Sequence, residues 1–364
     1  MATATLFVTR KFPPSVGGME TLASDVWATL SAAGDGRDRL VAHGGSNARM
    51  PVWLPGAVLR TVRLVRGREV GYVLVGDVLL YLLLRPVLVL LRVPHATMAM
   101  GKDVVWRQPV YQWLVRRVLP RAPRVLAISA ATAATVVQAG APADRVVVVR
   151  LGVRLPEGGP ARDAARAELR RRFEVPAGAT VLVTVGRLVR RKGVAWFLDA
   201  VLPGVPGAVH LVAGSGEDAD RIAAAVAAHG LGDRVRLLGA VDDADRELLM
   251  RGADVFVQPN VPVAGDMEGF GLVAVEAAVR GSLVLAADLE GLRDAVLPGE
   301  TGELLPSGDA EAWRAALERV ATDPGAAERR AATYASRCRE VYSREQMGVQ
   351  LRLALGASST GPNP

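Results

Sequence analysis

The chain has 364 residues, a net charge of +7 and a hydrophobic fraction of 50%, with only 5% aromatic residues. This length predicts two domains of ordinary size, and a core rich in Val, Leu and Ala is typical of buried parallel strands covered by helices. The single cysteine, Cys338, excludes an internal disulfide and fits a reducing compartment. Because the apolar stretch within residues 1–10 is too short for a signal peptide, we expect a cytoplasmic protein.

Strand-like runs alternate with helical stretches, starting with Thr5–Thr9, a glycine-rich loop and a helix at Thr21–Ala32. The apolar segment Tyr72–Val93 is predicted to be a buried strand and helix, because Asp77 and Arg85 interrupt it and a charge inside a bilayer is costly. Further strands are predicted at Pro94–Met98, Val125–Ile128, Val146–Val149, Thr180–Val185, Val209–Ala213, Val235–Leu238, Val255–Gln258 and Leu283–Ala286. The alternation predicts parallel sheets with right-handed crossovers.

A turn-rich stretch at Pro156–Pro160 divides this alternation into two parts. Residues 1–155 are predicted to form an N-terminal Rossmann-like domain, and residues 165–340 a second one. A C-terminal helix at about residues 340–355 can pack back on the first domain, and the polar tail at 356–364 is expected to fray. Ligands of such folds bind beyond the carboxyl ends of the strands, so loops at that edge are candidate sites.

The positive charge is concentrated in the N-terminal part of the chain. Residues 1–155 contain 20 Lys and Arg against 8 Asp and Glu, whereas the remainder contains 24 against 29. Arg60, Arg63 and Arg66 recur at helical spacing. They could contact an anionic lipid surface or an acidic acceptor, or they could form a solvated helix face. Nucleic acid is not expected as a partner, because no nucleic-acid fold signature or aromatic stacking pattern accompanies the charge.

Two carboxylates, Glu268 and Glu276, flank a loop formed by Gly269, Phe270 and Gly271. If a helix begins near Gly271, its unpaired N–H groups form an anion site at the positive end of the helix dipole. The glycines let the backbone approach a ligand closely. The carboxylates would then accept hydrogen bonds from hydroxyls beside the anion. A ligand that carries both phosphate and many hydroxyls, such as a nucleotide sugar, fits this pattern.

This element resembles the E-x7-E segment of retaining GT-B-fold glycosyltransferases of the family 4 type. Phe12–Glu20 resembles that family's first glycine-rich loop, and Val185–Gly193 resembles its diphosphate clamp. The similarity runs from about residue 6 to about residue 345. The resemblance implies an α/β, GT-B architecture with two Rossmann-like parallel-sheet domains facing each other across a cleft. The N-terminal domain would lie on the acceptor side, and the C-terminal domain would bind the donor nucleotide.

Arg187 and Lys192 are the predicted diphosphate ligands, because both can converge on one anion across a strand-to-helix turn that begins at Gly186. Arg190 and Arg191, in contrast, are expected to be solvated.

The glycine-rich loop and the paired carboxylates complete the predicted donor site. Gly17 and Gly18 are expected to offer backbone amides to a phosphate. As the resemblance implies, Glu268 would hold hydroxyls of the donor sugar, and Glu276 would accept hydrogen bonds from the ribose hydroxyls. Gly269, Phe270 and Gly271 belong to the same donor site.

One position departs from the family pattern. The segment Ala96–Asp103 resembles the family's H-G-x-D segment, but Met100 occupies the position of the histidine that sits beside the reacting carbon. Methionine has no proton to donate and is a weak acceptor. His95, five residues upstream, is a candidate to replace it in space, or it is a structural histidine. Asp103 matches the pattern and is expected to contact the acceptor or to shape the loop.

No metal and no resident cofactor are expected. The D-x-D pairs Asp218/Asp220 and Asp243/Asp245 begin helical stretches, where Asp serves as a cap, and the predicted Arg187–Lys192 clamp already supplies positive charge.

The sequence therefore predicts a metal-independent, retaining, hexosyl-type glycosyltransferase that uses a UDP- or GDP-sugar as co-substrate. Its acceptor would be a small molecule, a lipid-linked sugar or a glycan, and the basic half could contact the inner face of the membrane. Two alternatives stay open: a catalytically impaired sugar-nucleotide-binding protein, which Met100 favours, and a sugar-nucleotide epimerase.

Overall fold

A computed structural model describes residues 4–15, 17–33, 36–156 and 158–356. The chain divides into two compact units, the first formed by residues 1–153 and 342–364 and the second by residues 154–341. Val16 of the glycine-rich loop, Glu157 of the predicted linker and residues 357–364 of the predicted frayed tail lie outside the described residues.

The first unit is built on a six-stranded parallel sheet with the strand order β2-β1-β3-β4-β5-β6. Its strands are β1 Thr5–Thr9, β2 Arg39–Ala42, β3 Tyr72–Val75, β4 His95–Ala99, β5 Val125–Ala127 and β6 Val146–Val148. Its helices are α1 Gly18–Ala33, α2 Met50–Arg66, α3 Val78–Leu90, α4 Lys102–Val105, α5 Pro109–Val118 and α6 Ala130–Gln138. The C-terminal helix Arg344–Ala354 also belongs to this unit, and it packs on α1.

The second unit has its own six-stranded parallel sheet, with the order β12-β11-β10-β7-β8-β9. Its strands are β7 Thr180–Val185, β8 Ala208–Ala213, β9 Val235–Gly239, β10 Val255–Gln258, β11 Leu283–Ala287 and β12 Glu303–Leu305. Its helices are α7 Arg162–Arg172, α8 Val194–Ala200, α9 Ala219–Ala228, α10 Asp243–Gly252, α11 Leu272–Val279, α12 Leu292–Ala295, α13 Ala310–Thr322 and α14 Pro324–Val341.

The central strands of both sheets are continuous apolar runs, as strands covered on both faces require. In β7 and β10 nearly every residue is buried, and the predicted bounds Thr180–Val185 and Val255–Gln258 are confirmed. The predicted α/β class with two parallel sheets is confirmed as well. Two strands were not predicted, β2 and β12, and both are short, with four and three residues.

The segment Tyr72–Val93 forms the buried strand β3 and the helix α3, as predicted. Asp77 stands between them as the N-cap of α3, where its Oδ1 accepts a hydrogen bond from the Leu80 N–H. No helix formed by the described residues combines the length and the apolar character that crossing a bilayer requires.

Candidate functional site

Glu268 is the centre of a polar cluster at the carboxyl ends of β7 and β10. Its Oε2 atom accepts hydrogen bonds from Lys192 Nζ and Arg191 Nη1, each at 2.5 Å. Two amides at the end of β10 also donate to it, Asn260 Nδ2 at 3.1 Å from just after the strand and Gln258 Nε2 at 3.4 Å from its last residue. All four donors therefore converge on one oxygen of a side chain that is only 10% exposed.

The charges of this cluster stabilise one another. Burial by itself would raise the pKa of Glu268, but Lys192 and Arg191 outweigh it and lower the pKa to about 2. Burial lowers the pKa of Lys192 from its ordinary value, although Glu268 opposes that shift. Glu268 is consequently ionised throughout the physiological range and holds two cations beside it.

Arg191 is not solvated, which corrects the sequence prediction. Its side chain is 9% exposed, and its guanidinium pairs with Glu268 and, at 3.4 Å from Nε, with Asp266 Oδ2. A short 3-10 turn at Arg190–Lys192 directs Arg191 inward and leaves Arg190 exposed, as predicted. Its two carboxylate partners lie more than seventy positions away in the sequence, so the local pattern gave no sign of the burial.

Arg187 has the opposite character. It lies two positions after the end of β7 and is exposed, and no described residue forms a hydrogen bond or an ion pair with its guanidinium. It lies close enough to Lys192 to lower the pKa of that ammonium. The predicted pair therefore consists of one exposed cation and one cation that is bound to Glu268.

The turn that carries Lys192 depends on Gly193. This residue has a φ of +68°, and a Cβ there would lie 1.9 Å from the Pro259 carbonyl oxygen. Only glycine permits that approach between the turn after β7 and the loop after β10. The contact brings Lys192 and Asn260 to the same carboxylate. Gly186, at the start of the turn, also has a positive φ, of +142°.

The Gly269–Gly271 loop leads into α11, as the sequence predicts. Gly271 is the N-cap of this helix with a φ of +101°, and a Cβ there would meet Leu292 at 2.6 Å. The Phe270 side chain is only 2% exposed, so any ligand contact at this residue would come from its backbone. The Glu268 N–H donates to Glu290 Oε2 at 2.6 Å, which fixes the start of the loop.

Glu276 lies on α11 and forms an ion pair with Arg246 of α10. Its side chain is only 13% exposed, and a carboxylate that is largely buried needs such a partner. Arg246 was not among the predicted site residues. The two residues are thirty positions apart, and only the packing of α10 on α11 brings them together.

In the first unit, Gly17 and Gly18 stand at the N-terminus of α1. The Gly17 carbonyl accepts the Thr21 N–H at 3.0 Å, and Gly18 is exposed. Within the same turn Glu20 forms an ion pair with Lys11, 3.1 Å between Oε1 and Nζ. The N–H groups in the first turn of α1 therefore favour an anion near Gly17 and Gly18.

Met100 and Asp103 form a tight loop beyond the carboxyl end of β4. Asp103 accepts hydrogen bonds from the Met100 N–H at 2.8 Å and from the Val78 N–H at 3.0 Å. Burial and the neighbouring Asp77 raise the pKa of Asp103 to about 7. Of the two predicted roles for Asp103, these contacts give it the loop-shaping one, and both residues are buried.

His95 does not replace the missing histidine. It is the first residue of β4, whereas Met100 follows the last one, so the two lie at opposite ends of the strand. The ring packs near Tyr81, with 5.8 Å between centroids, and Nδ1 contacts the Val93 carbonyl at 2.8 Å. Burial lowers its pKa. These contacts indicate a structural histidine, the second of the two predicted alternatives.

The D-x-D pairs lie at helix starts. Asp218 is the N-cap of α9 but makes no capping hydrogen bond, and it pairs with Arg221 at 3.1 Å. Asp243 begins α10, the cap of that helix is Asp242, and Asp245 contacts Arg172 at 2.7 Å. Within the described ranges, no three His, Cys, Asp or Glu side chains are grouped as a metal ion would require.

Two family models match the chain. Residues 165–337 match the glycosyl transferases group 1 model, and residues 16–156 match the glycosyltransferase family 4 model.

Curated relatives include glycosyltransferases with different substrates. The phosphatidyl-myo-inositol mannosyltransferase of Mycobacterium leprae (strain TN) is 41% identical over 145 residues, 38% of this chain and 36% of that protein. The 2-deoxystreptamine N-acetyl-D-glucosaminyltransferase of Streptomyces fradiae is 34% identical over 258 residues, 68% of this chain and 59% of that protein. The chain thus matches less than two thirds of the length of these relatives.

Solved structures share the fold. Anabaena HepE in complex with UDP and glucose has a TM-score of 0.75 at 20% identity, over 98% of this chain and 100% of that one. Sucrose-phosphate synthase from Thermosynechococcus elongatus has a TM-score of 0.78 at 22% identity, with the same coverage. These similarities show the GT-B fold. The two family matches show that the chain belongs to the group 1, family 4 glycosyltransferases.

Proposed function

We propose that this protein transfers a hexosyl-type sugar from a UDP- or GDP-sugar to an acceptor hydroxyl, with retention at the anomeric carbon and without a metal ion. The proposal rests on two cations of the turn after β7. Arg187 is exposed, and the ammonium of Lys192 lies 2.5 Å from the buried Glu268. A cation pair beside an ionised acid suits a ligand that carries both a diphosphate and hydroxyls. HepE, which shares the fold, is known in complex with UDP and with UDP-glucose.

Arg187 and Lys192 are proposed to bind the diphosphate. Negative charge grows on the diphosphate as the bond to the sugar breaks, and fixed cations stabilise that charge more strongly in the transition state than in the ground state. The N–H groups at the start of α11 also favour negative charge near this helix N-terminus. Lys192 already neutralises Glu268, so it would be shared between this carboxylate and the bound diphosphate.

Glu268 and Glu276 are proposed to bind the sugar hydroxyls and the ribose hydroxyls, respectively. The four donors to Glu268 all use Oε2, which leaves Oε1 as the acceptor for a hydroxyl. Glu276 has Arg246 as its partner, so ribose would share this carboxylate with a guanidinium. Backbone groups of Gly186 and of the Gly269–Gly271 loop would contribute the remaining donor contacts, and Gly17 and Gly18 would offer amides to a phosphate.

Retention is proposed to occur without a covalent intermediate. Double displacement would need a carboxylate on each face of the anomeric carbon, whereas Glu268 and Glu276 are both proposed to bind hydroxyls. The leaving diphosphate would instead take the proton of the acceptor hydroxyl on the face from which it departs. The new bond then forms between the acceptor oxygen and the anomeric carbon as the bond to the diphosphate oxygen breaks.

The first unit is proposed to provide the acceptor side, with Met100 and Asp103 at the carboxyl end of β4. The rival function is binding of a sugar nucleotide without transfer. The observation that favours it is the apolar Met100, since His95 lies at the other end of β4. Asp103 accepts two backbone N–H groups, so the loop keeps a defined shape without a histidine.

A donor screen tests the proposed transfer. UDP- and GDP-sugars are incubated with the protein and candidate acceptors, and the anomeric configuration of the product is read by NMR. Arg187→Gln and Lys192→Gln are expected to reduce turnover at least about a hundredfold, whereas Arg190→Gln, a matched change at an exposed position, is expected to retain it. Nucleotide binding without transfer or hydrolysis, also in Met100→His, would favour the binding protein. A changed sugar in the absence of acceptor would identify an epimerase.

We further propose that the first unit contacts an anionic membrane surface. Helices α2, α3 and α5 contain no Asp or Glu, and α3 contacts both of the others. They expose large apolar side chains beside arginines, including Leu59 (71%), Leu90 (79%) and Trp113 (54%). Arg60, Arg63 and Arg66 are all exposed on α2. Arginines together with exposed Trp and Leu suit the interface of an anionic bilayer.

Sedimentation with vesicles tests this contact. Binding is expected to phosphatidylglycerol vesicles, to fall with added salt, and to weaken in Trp113→Ser and in Arg116→Gln. Leu237→Ser, at a 45% exposed position of the second unit, is the control that should leave binding unchanged. Equal binding to neutral vesicles, or none to anionic ones, would contradict the membrane proposal without affecting the transfer reaction.

A further inference from the structure

The second unit contains a cavity of about 250 Å³ that is lined by three arginines of one helix. Arg162, Arg166 and Arg170 are spaced four residues apart on α7, so they share one face of this helix. The cavity also borders Thr180, which begins β7. Since Arg187 follows the other end of that six-residue strand, the cavity lies roughly 20 Å from the proposed diphosphate clamp.

The middle arginine has unused hydrogen-bonding capacity. Arg162 donates to the carbonyls of Arg251 and Ala253, and Arg170 donates to those of Pro176 and Ala179. Arg166 contacts Asp254 at 3.1 Å and Glu328 at 3.6 Å, but its buried Nε has no hydrogen-bond partner among the described residues, and its side chain is 25% exposed. A guanidinium in this state presents a fork of donors to an incoming anion.

The two carboxylates that line the cavity do not neutralise all three of its arginines. Asp254 is firmly held, by Arg166 at 3.1 Å, by Arg170 at 3.2 Å and by the Val181 N–H at 2.8 Å. Glu328 is 44% exposed and lies 3.6 Å from Arg166 and 3.8 Å from Arg162, which is too far for hydrogen bonds. The lining of the cavity therefore contains three guanidiniums and two carboxylates, of which one is loosely held. Asp163, outside the lining, also acts on Arg162.

A helix N-terminus also borders this cavity. Pro324 and Gly325, which begin α14, line the same cavity. The N-terminal end of this eighteen-residue helix carries a partial positive charge. Asp323, just before the helix, accepts the Ala326 N–H at 2.8 Å, and its negative charge offsets part of this effect. The cavity is smaller than the pockets that take drug-sized ligands, so it suits a compact anion.

We propose that this cavity is an anion site separate from the donor site, and that it binds inorganic phosphate or a small phosphomonoester. Arg166 is the main ligand, with support from Arg162 and the start of α14. Glu328 competes with the anion and swings toward solvent when it binds. The site is independent of the proposed transfer reaction, because it uses none of the residues at the carboxyl edge of the sheet.

Hydrogen–deuterium exchange and calorimetry with inorganic phosphate, in chloride buffer, test the site. Phosphate should slow exchange in peptides that cover residues 162–172 and 324–330. Arg166→Gln should weaken phosphate binding at least about tenfold, and Glu328→Gln should tighten it several-fold because the competing charge is gone. The matched control is Arg171→Gln on the same helix, whose side chain is 75% exposed and pairs with Glu168; it should leave the affinity unchanged.

Arg187→Gln removes a ligand of the proposed donor clamp and leaves the anion site intact. Phosphate should therefore still protect α7 and α14 in this variant, and any binding that the variant loses belongs to the donor clamp. A parallel titration with glycerol 3-phosphate shows whether the ester or the free ion binds more tightly, and binding of either one at α7 supports the site. Three results would overturn it: no protection of these peptides by either ligand, full protection in Arg166→Gln, or weaker binding in Glu328→Gln. The last variant removes only a loosely held carboxylate, so it gives an answer even if Arg166→Gln folds poorly.

Discussion

Lys192 and Glu268 are 76 positions apart in the sequence, yet the ammonium of one lies 2.5 Å from Oε2 of the other. The contact joins the turn after β7 to the loop after β10, the two places where the sequence predicts cation and carboxylate ligands. Arg191 shares the same oxygen, so removal of the carboxylate would leave two cations in a largely buried setting.

Glu268→Ala should therefore destabilise the second unit as well as impair transfer. We expect a loss of about 3–5 kcal/mol in the free energy of unfolding, because two buried cations lose their counter-charge. Urea denaturation measures it. Glu318→Ala, at an exposed position of α13, is the control and should change stability by no more than about 0.5 kcal/mol. Similar values for the two variants would mean that the cluster does not stabilise the fold.

Arg191→Gln and Arg190→Gln should separate the buried arginine from its exposed neighbour. The first removes a guanidinium that is 9% exposed and holds both Glu268 and Asp266, so we expect about 3 kcal/mol or more of destabilisation. The second should have almost no effect. Thermal and urea unfolding of both variants give the comparison, and equal stabilities would restore the sequence prediction that both arginines are solvated.

Gly193→Ala should be severely destabilising. The residue has a φ of +68°, and the added Cβ would be 1.9 Å from the Pro259 oxygen, so the turn must move as a whole. We expect more than about 2 kcal/mol of lost stability and a weakened donor affinity. Gly232→Ala is the matched control, since a Cβ there meets no atom within 4 Å. A normally stable Gly193→Ala protein would show that this close approach is not required.

The pH dependence of stability should contain two opposite contributions. Glu268 has a pKa lowered to about 2, so its stabilisation is present above its unfolded pKa of about 4.3 and is lost as the pH falls toward 2. Asp103 has a pKa raised to about 7, so the native state binds more protons than the unfolded state between about pH 4 and 7. This second contribution lowers stability as the pH rises through that window.

Asp103→Asn tests the second contribution, because it removes the titration and keeps a polar group of the same size. Urea unfolding between pH 4 and 8 should show a flatter stability profile in the variant. The largest change that one such group can cause is about 1.4 kcal/mol per pH unit. Parallel profiles for the variant and the wild type would mean that Asp103 is ionised across the whole range.

Much of the fold and of the candidate site could be predicted because the signals are local. The apolar runs of β7 and β10 and the glycine before α11 act within a few residues of the chain. The short edge strands β2 and β12 gave no such signal, since each is a strand only because a longer neighbour pairs with it.

The sequence by itself determined the family, the two parallel sheets and the identity of the charged groups, because motif spacing and hydrophobic periodicity are properties of consecutive residues. Only the tertiary structure decided the partners of those groups. Arg191 is buried against Glu268, and Arg246 of a neighbouring helix pairs with Glu276. His95 lies at the opposite end of β4 from Met100. Electrostatic pairing and burial depend on distances across the fold, which separation along the chain does not encode.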